Sequence, residues 1–345
     1  MRAVVALVEA RPETIIEDYG RVLELAGLAD LVGARPVTLV PQARPGGWFP
    51  GAGSPPWQLD GVLSWLDQRQ DPMAVDVGLG PAAVVLPTAS SSGPGPAPGW
   101  ALEDVMARHG AEPASDHFRH PRSFRAEPAL PALADALPGS LSLAAGLRDR
   151  VALLLPVPVW DISRPVTGSM ALLRDLLAPK ISMSGNQSNA EVLADVIRFA
   201  GQALPGFGVV MDAVLWQVGH RTASGPPVAR NILLAGRDPV AVDAVATRLT
   251  GRDPAREAWF RLCGDQGLGA VREGDIRLTG RADLLELDFG ISDRYPSLLA
   301  RSWDRFPLSG LFRRKFKSST LLKQHSRTPW GGLFEVYRAG GPRGE

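Results

Sequence analysis

Short apolar runs alternate with stretches of helical spacing along much of this chain. Residues 4–8 are almost wholly apolar, as expected of a strand covered on both faces. In 14–26 the apolar positions are Ile15, Ile16, Tyr19, Val22, Leu23 and Ala26, the spacing of one helix face. The same reading predicts strands over 37–40, 82–86, 151–159, 208–212 and 231–235. It predicts helices over 58–66, 170–177, 189–204, 239–249 and 255–262. Strands alternating with helices imply βαβ units, so the expected fold is α/β: an open, mostly parallel sheet with helices on both faces.

Breaks in the pattern suggest the organisation. SSSGPGPAPG at 90–99 cannot pack a core, and 111–140 is rich in Pro and Ala. The expectation is two lobes, 1–88 and 146–282, separated by an irregular insertion over 89–145 and followed by a basic extension over 283–345.

Gly-Arg-Asp-Pro occurs twice, at 236–239 and 251–254. In each copy the aspartate can cap a helix and the proline fits the first helical position, where its missing N–H costs nothing. Gly251 suits the left-handed residue that ends the intervening helix. Capping accounts for Asp253. Asp238 also follows a predicted strand, where open α/β sheets bind ligands and a helix N-terminus favours an anion. Asp243, one turn on, borders the apolar face, and a cap does not explain it. Ser188-Asn189-Ala190-Glu191 is a capping box for another helix.

Composition narrows the function classes. The 345 residues are 45% hydrophobic and carry a formal net charge of +1, so no whole-molecule charge favours nucleic acid. Cys263 is the single cysteine, which removes internal disulfides and all-cysteine iron–sulfur or zinc sites within one chain. It reads as a small buried residue near a helix end, the alternative being a reactive thiol. The first residues lack a signal-peptide pattern and the longest apolar run, 151–160, is broken by Pro156 and Pro158, so a cytoplasmic protein is expected.

The stretch from about 207 to 280 resembles the family called domain of unknown function 362. The resemblance rests on Met211-Asp212-Ala213-Val214, Gly225-Pro226-Pro227, the run from Ile232 to Ala244, Gly267-Leu268-Gly269 and Ile276-Arg277-Leu278-Thr279-Gly280. It is looser through 38–42 and 167–176. It implies an α/β protein of a poorly characterised group whose members often carry ferredoxin-type iron–sulfur modules. This chain has no ferredoxin cysteines. It has Val40-Pro41-Gln42 where the family pattern has a lysine before Pro-Asn, and Arg174-Asp175 where it has Lys-Asn.

The candidate catalytic residues are Asp212, His220 and Asp243, with His220 a general base or else a hydrogen-bonded loop histidine. Candidate ligand-binding residues are Lys180, Asn186, Arg237 and Asp238, with the turn around Lys180 a candidate anion cradle. Asp238 and Asp243 are candidate ligands of a divalent cation; an iron–sulfur cluster is not expected. His117 and His120 have a spacing that fits either a shared metal or an exposed loop. In 311–327, Arg313, Arg314, Lys315 and Lys317 stand beside Leu311, Phe312 and Phe316. That segment reads as a solvated arm, a protein contact or a membrane-surface contact, with no nucleic acid partner expected. Two functions follow: an enzyme acting on a small anionic metabolite or cofactor precursor in a cleft where Asp212, Asp238 and Asp243 meet, or a non-catalytic accessory protein docking through the tail.

Overall fold

The computed structural model describes residues 2–33, 35–42, 50–51, 53–69, 75–77, 102–113, 121–125, 130–136, 140–144, 150–158, 168–177, 189–217, 227–287 and 325–341. The predicted strand over 82–86 lies outside them. Ten strands are described: β1 Ala3–Glu9, β2 Val37–Pro41, β3 Val75–Val77, β4 Glu112–Pro113, β5 Pro121–Arg125, β6 Ser140–Ala144, β7 Val151–Leu155, β8 Phe207–Gln217, β9 Pro227–Gly236 and β10 Ile276–Gly280. The main sheet has eight of them, in the order β10-β1-β9-β8-β7-β2-β3-β4, and β5 and β6 form a separate antiparallel pair. Within the main sheet β9 runs antiparallel to both neighbours, and the other pairings are parallel. This is the open, mostly parallel α/β sheet that the alternation implies.

The runs are continuously apolar because both faces are covered. Val5 and Leu7 of β1 enter one core, while Ala6 and Val8 enter the other. β8 divides in the same way, with Val209, Met211 and Ala213 on one face and Val210 and Val214 on the opposite face. The face of Val210 packs α1 Ile15–Leu25, α2 Leu28–Val32, α3 Pro56–Asp67 and α4 Leu102–Arg108. The face of Met211 packs α5 Pro131–Ala136, α6 Gly168–Leu177, α7 Asn189–Ala203, α8 Pro239–Arg248 and α9 Ala258–Asp265. Among the described residues no helix is long and apolar enough to cross a membrane.

The expectation of two lobes meets a sheet that joins them. β2, from the first predicted lobe, pairs with β7, from the second, over Val37–Val151 to Pro41–Leu155. Nor is 89–145 simply irregular, since α4, β4, β5, α5 and β6 fall inside it. The C-terminal extension ends in α10 Pro329–Arg338, which packs on the α1/α3 face with Trp330 and Tyr337 buried.

Candidate functional site

Strand polarity decides where the predicted acids lie. The carboxyl ends of β1, β2, β7 and β8 share one edge of the sheet. β9 starts at that edge and ends at the other, with Gly236 opposite Val5 and Val209 near the starts of β1 and β8. Asp238, two residues further on, is therefore at the amino edge. Asp212 pairs with Leu233, three residues before Gly236, which is roughly 10 Å back along the strand. The expected convergence of Asp212 and Asp238 in one cleft is not found, because β9 is the one strand that runs the other way.

Asp212 points to the α1/α3 face and is 2% exposed. It accepts hydrogen bonds from Tyr19 Oη (2.7 Å), Trp57 Nε1 (2.8 Å) and the Val214 amide (3.0 Å). Burial raises its pKa to about 6 against the opposing pull of these three donors. Asp243 is fully buried on the opposite side of the sheet. Its two oxygens accept from the Ser169 and Met170 amides (2.9 and 3.0 Å), so it caps the first turn of α6 from outside that helix. Burial raises its pKa to about 7, opposed by those amide bonds. Asp243 thus has a partner that helical spacing could not disclose.

Asp238 caps α8 as the sequence implies, accepting from the Val240 and Ala241 amides (2.9 and 3.0 Å). Its other oxygen accepts from the Ala270 amide at 2.7 Å, tying the Gly267–Gly269 turn to the helix start. Burial raises its pKa, and the three amides work in the opposite direction. Gly269 is needed there: a Cβ would stand 2.4 Å from Val240 Cβ and 2.6 Å from Asp238 Oδ1. The second copy works as expected, with Asp253 accepting from the Ala255 amide at 2.9 Å. It opens a 3-10 turn over Pro254–Arg256, and α9 starts only at Ala258.

The three acids therefore make no common acidic wall, and Asp238 and Asp243 turn their oxygens to backbone amides rather than to a shared cation position. Among the described residues no group of three or more His, Cys, Asp or Glu is placed to hold a metal ion. Cys263 is buried in the α8/α9 core and burial pushes its thiol up to about 12, which favours the small-apolar reading over the reactive one. Lys180, Asn186, His220, His117 and His120 lie outside the described residues, as do Ser188 of the capping box and 311–324 of the basic segment.

Arg237 and Asp238 do share a cleft of about 1170 Å³, open at the amino edge beside the starts of β1 and β10. Arg2, Arg261, Arg272 and Arg277 also line it, together with Asp30, Asp265 and Asp275. Arg237 donates to the Gly27 carbonyl and lies 3.5 Å from Asp30. The other four arginines are exposed and make no ion pair with a described residue. Sequence reasoning missed them because they are scattered from residue 2 to residue 277 with no local motif; only the β1–β10 pairing brings the two ends together.

Residues 105–248 match the model of the family described as Domain of unknown function (DUF362). Over that span the chain is similar to this DUF362 family. The matched span holds Asp212, Arg237, Asp238 and Asp243, and it reaches further upstream than the resemblance near 207. It stops before Gly267-Leu268-Gly269, so the arginines of the cleft other than Arg237 lie outside the DUF362 span. No curated protein and no solved structure matches the chain.

Proposed function

We propose that this protein binds a small anionic metabolite in the cleft at Arg237 and Asp238. The observation that supports it is the set of four exposed arginines around one hollow, none ion-paired with a described carboxylate, in a lining where five arginines outnumber Asp30, Asp238, Asp265 and Asp275. Guanidinium groups offer paired donors to phosphate or carboxylate, and several around a concave surface focus a positive potential. Asp238 offsets little of that potential, because three amide dipoles face its carboxylate. The ligand class is a phosphate- or carboxylate-bearing molecule of metabolite size.

Calorimetric titration with inorganic pyrophosphate at low salt, with wild type and with Arg261→Gln and Arg272→Gln, tests this reading. Losing one charge-assisted hydrogen bond costs about 1.5–3 kcal/mol, or roughly tenfold or more in Kd. Added salt weakens binding through screening. Wild type that takes up no anion, or variants that bind as tightly as wild type, would refute the site.

A non-catalytic carrier or accessory role is favoured over an enzymatic one by a specific observation: Asp212, Asp238 and Asp243 all serve as acceptors for structural donors. An enzyme would turn over the bound anion, and product analysis of the same mixtures separates the two.

A further inference from the structure

We infer that His109 is a proton-operated latch holding α10 and the end of α4 onto α3. The imidazole lies between two carboxylates of α3: Nδ1 is 2.5 Å from Asp67 Oδ2, and Nε2 is 2.7 Å from Asp60 Oδ1. Neutral histidine has one N–H, so it can satisfy one of these contacts and must set a lone pair against the other carboxylate. Only the imidazolium donates to both.

Asp60 is the point at which three helices meet. Besides His109 it accepts from Arg108 of α4 at 3.3 Å and from Tyr337 Oη of α10 at 2.5 Å. The Arg108 guanidinium also lies 5.5 Å from the centre of the Tyr337 ring. Asp60 is 5% exposed, so its charge is costly unless these donors stay in place. When His109 loses its proton, the cluster of Asp60, Asp67, Arg108 and His109 goes from balanced to one net negative charge. The repulsion falls on the carboxylate that holds Tyr337. α10 is also tied to the sheet side through Trp330, whose Nε1 donates to Asn231 Oδ1 at 2.7 Å and whose ring lies 5.6 Å from Trp57. Trp57 in turn donates to Asp212. Release of the latch would loosen the cover over the carboxyl edge of the sheet on the α1/α3 face.

The direction follows from the contacts. Burial lowers the His109 pKa, but hydrogen bonds and charge from Asp60 and Asp67 outweigh it, and the net direction is upward from 6.5. Asp60 moves downward despite its burial, held by His109, Tyr337 and Arg108. A histidine raised in the folded state stabilises fully below its unfolded pKa and loses that contribution as pH rises through the folded value. The latch is closed in mild acid and opens as pH rises through the raised pKa of His109.

Amide hydrogen exchange of 329–338 in the full chain, corrected for the intrinsic rate and run from pH 5.5 to 9, tests it. In wild type, protection should fall by up to about tenfold for each pH decade between 6.5 and the folded pKa of His109, then level off. His109→Gln should lower protection at pH 5.5 and abolish the step. Asp67→Asn, at a partly exposed position, should move the step to lower pH, and it serves if the first variant does not fold. Protection of 329–338 in wild type that ignores pH, or a step unchanged in either variant, would overturn the latch.

Discussion

Replacing Asp212 by asparagine measures what a buried carboxylate does at the carboxyl edge. Its pKa is about 6 when folded, against 3.8 for the free side chain. That is about two pH decades at ~1.4 kcal/mol each, or roughly 3 kcal/mol. Because the folded value is raised, the wild type is most stable, as far as this group is concerned, below pH 3.8. The advantage is lost as pH climbs through about 6. Asparagine removes the titration. It also places an NH2 opposite one of three donors, Tyr19 Oη, Trp57 Nε1 or the Val214 amide, stranding a buried group at about 1–3 kcal/mol. Above pH 7.5 the stranded donor and the relieved charge nearly cancel, and Asp212→Asn should unfold close to wild type. Near pH 4.5 only about 1 kcal/mol of that relief is present, and the variant should be weaker by up to about 2 kcal/mol, the stranding cost less that relief. Urea unfolding of both proteins at pH 4.5, 6 and 8 gives the difference directly. A wild-type advantage that stays constant across this range would refute the argument that burial, rather than its donors, controls Asp212.

Asp238→Ala removes a helix cap and leaves the Ala270 amide without its acceptor; a loss of about 2–4 kcal/mol in urea unfolding is expected, and a loss under 1 kcal/mol would show the turn is held by other means. Gly61→Ala on α3 puts a methyl 2.6 Å from the Tyr19 ring, so overpacking of about 1–3 kcal/mol and a displaced Tyr19–Asp212 bond should appear as a lower melting temperature. Stopping the chain at residue 324 strips buried Trp330 and Tyr337 from the core; at about 1.5–3 kcal/mol for each large side chain the truncated protein should be markedly less stable, and an unchanged unfolding midpoint would mean α10 is not part of the folded core. That outcome matters for any docking role of the tail, because deletions from 310 onward remove core as well as arm.

The regular elements were legible because their causes are local. Apolar runs at β1, β2 and β7 and the helical spacing at α1, α6 and α8 come from burial on one face or two, and Asp238-Pro239 marks a helix start by side-chain chemistry alone. What was not legible depends on partners distant in sequence. β9 contains nothing that announces its direction: Asn-Ile-Leu-Leu-Ala suits a parallel or an antiparallel neighbour equally, since both faces are buried either way. α10 was missed because Trp330, Phe334 and Tyr337 give only a short apolar stripe beside a basic segment, and their burial depends on Trp57 and Asp60 nearly 280 residues earlier. His109 lacked any motif, for its carboxylates come from a helix more than forty residues upstream.

Strand direction also explains why residues close together in the family signature do different work. Asp212 and Asp238 are joined by a hairpin of β8 and β9, and the reversal carries the second acid to the opposite edge of the sheet. α8 then climbs back on the far face, so Asp243 meets the α6 start with the sheet between it and Asp212. Each acid answers a different need for acceptors: an aromatic pair, a helix N-terminus, and a turn pinned to a helix cap. A buried carboxylate that accepts two or three donors holds elements together as firmly as it would hold a ligand, and its sequence spacing looks the same in both roles. The arginines reverse that logic. Arg2, Arg261, Arg272 and Arg277 have no spacing at all, yet the parallel pairing of β1 with β10 gathers their charge around one hollow, where none of them is ion-paired with a described carboxylate although Asp30, Asp265 and Asp275 share the lining. The proposed anion site therefore rests on the unpaired cations rather than on the paired acids.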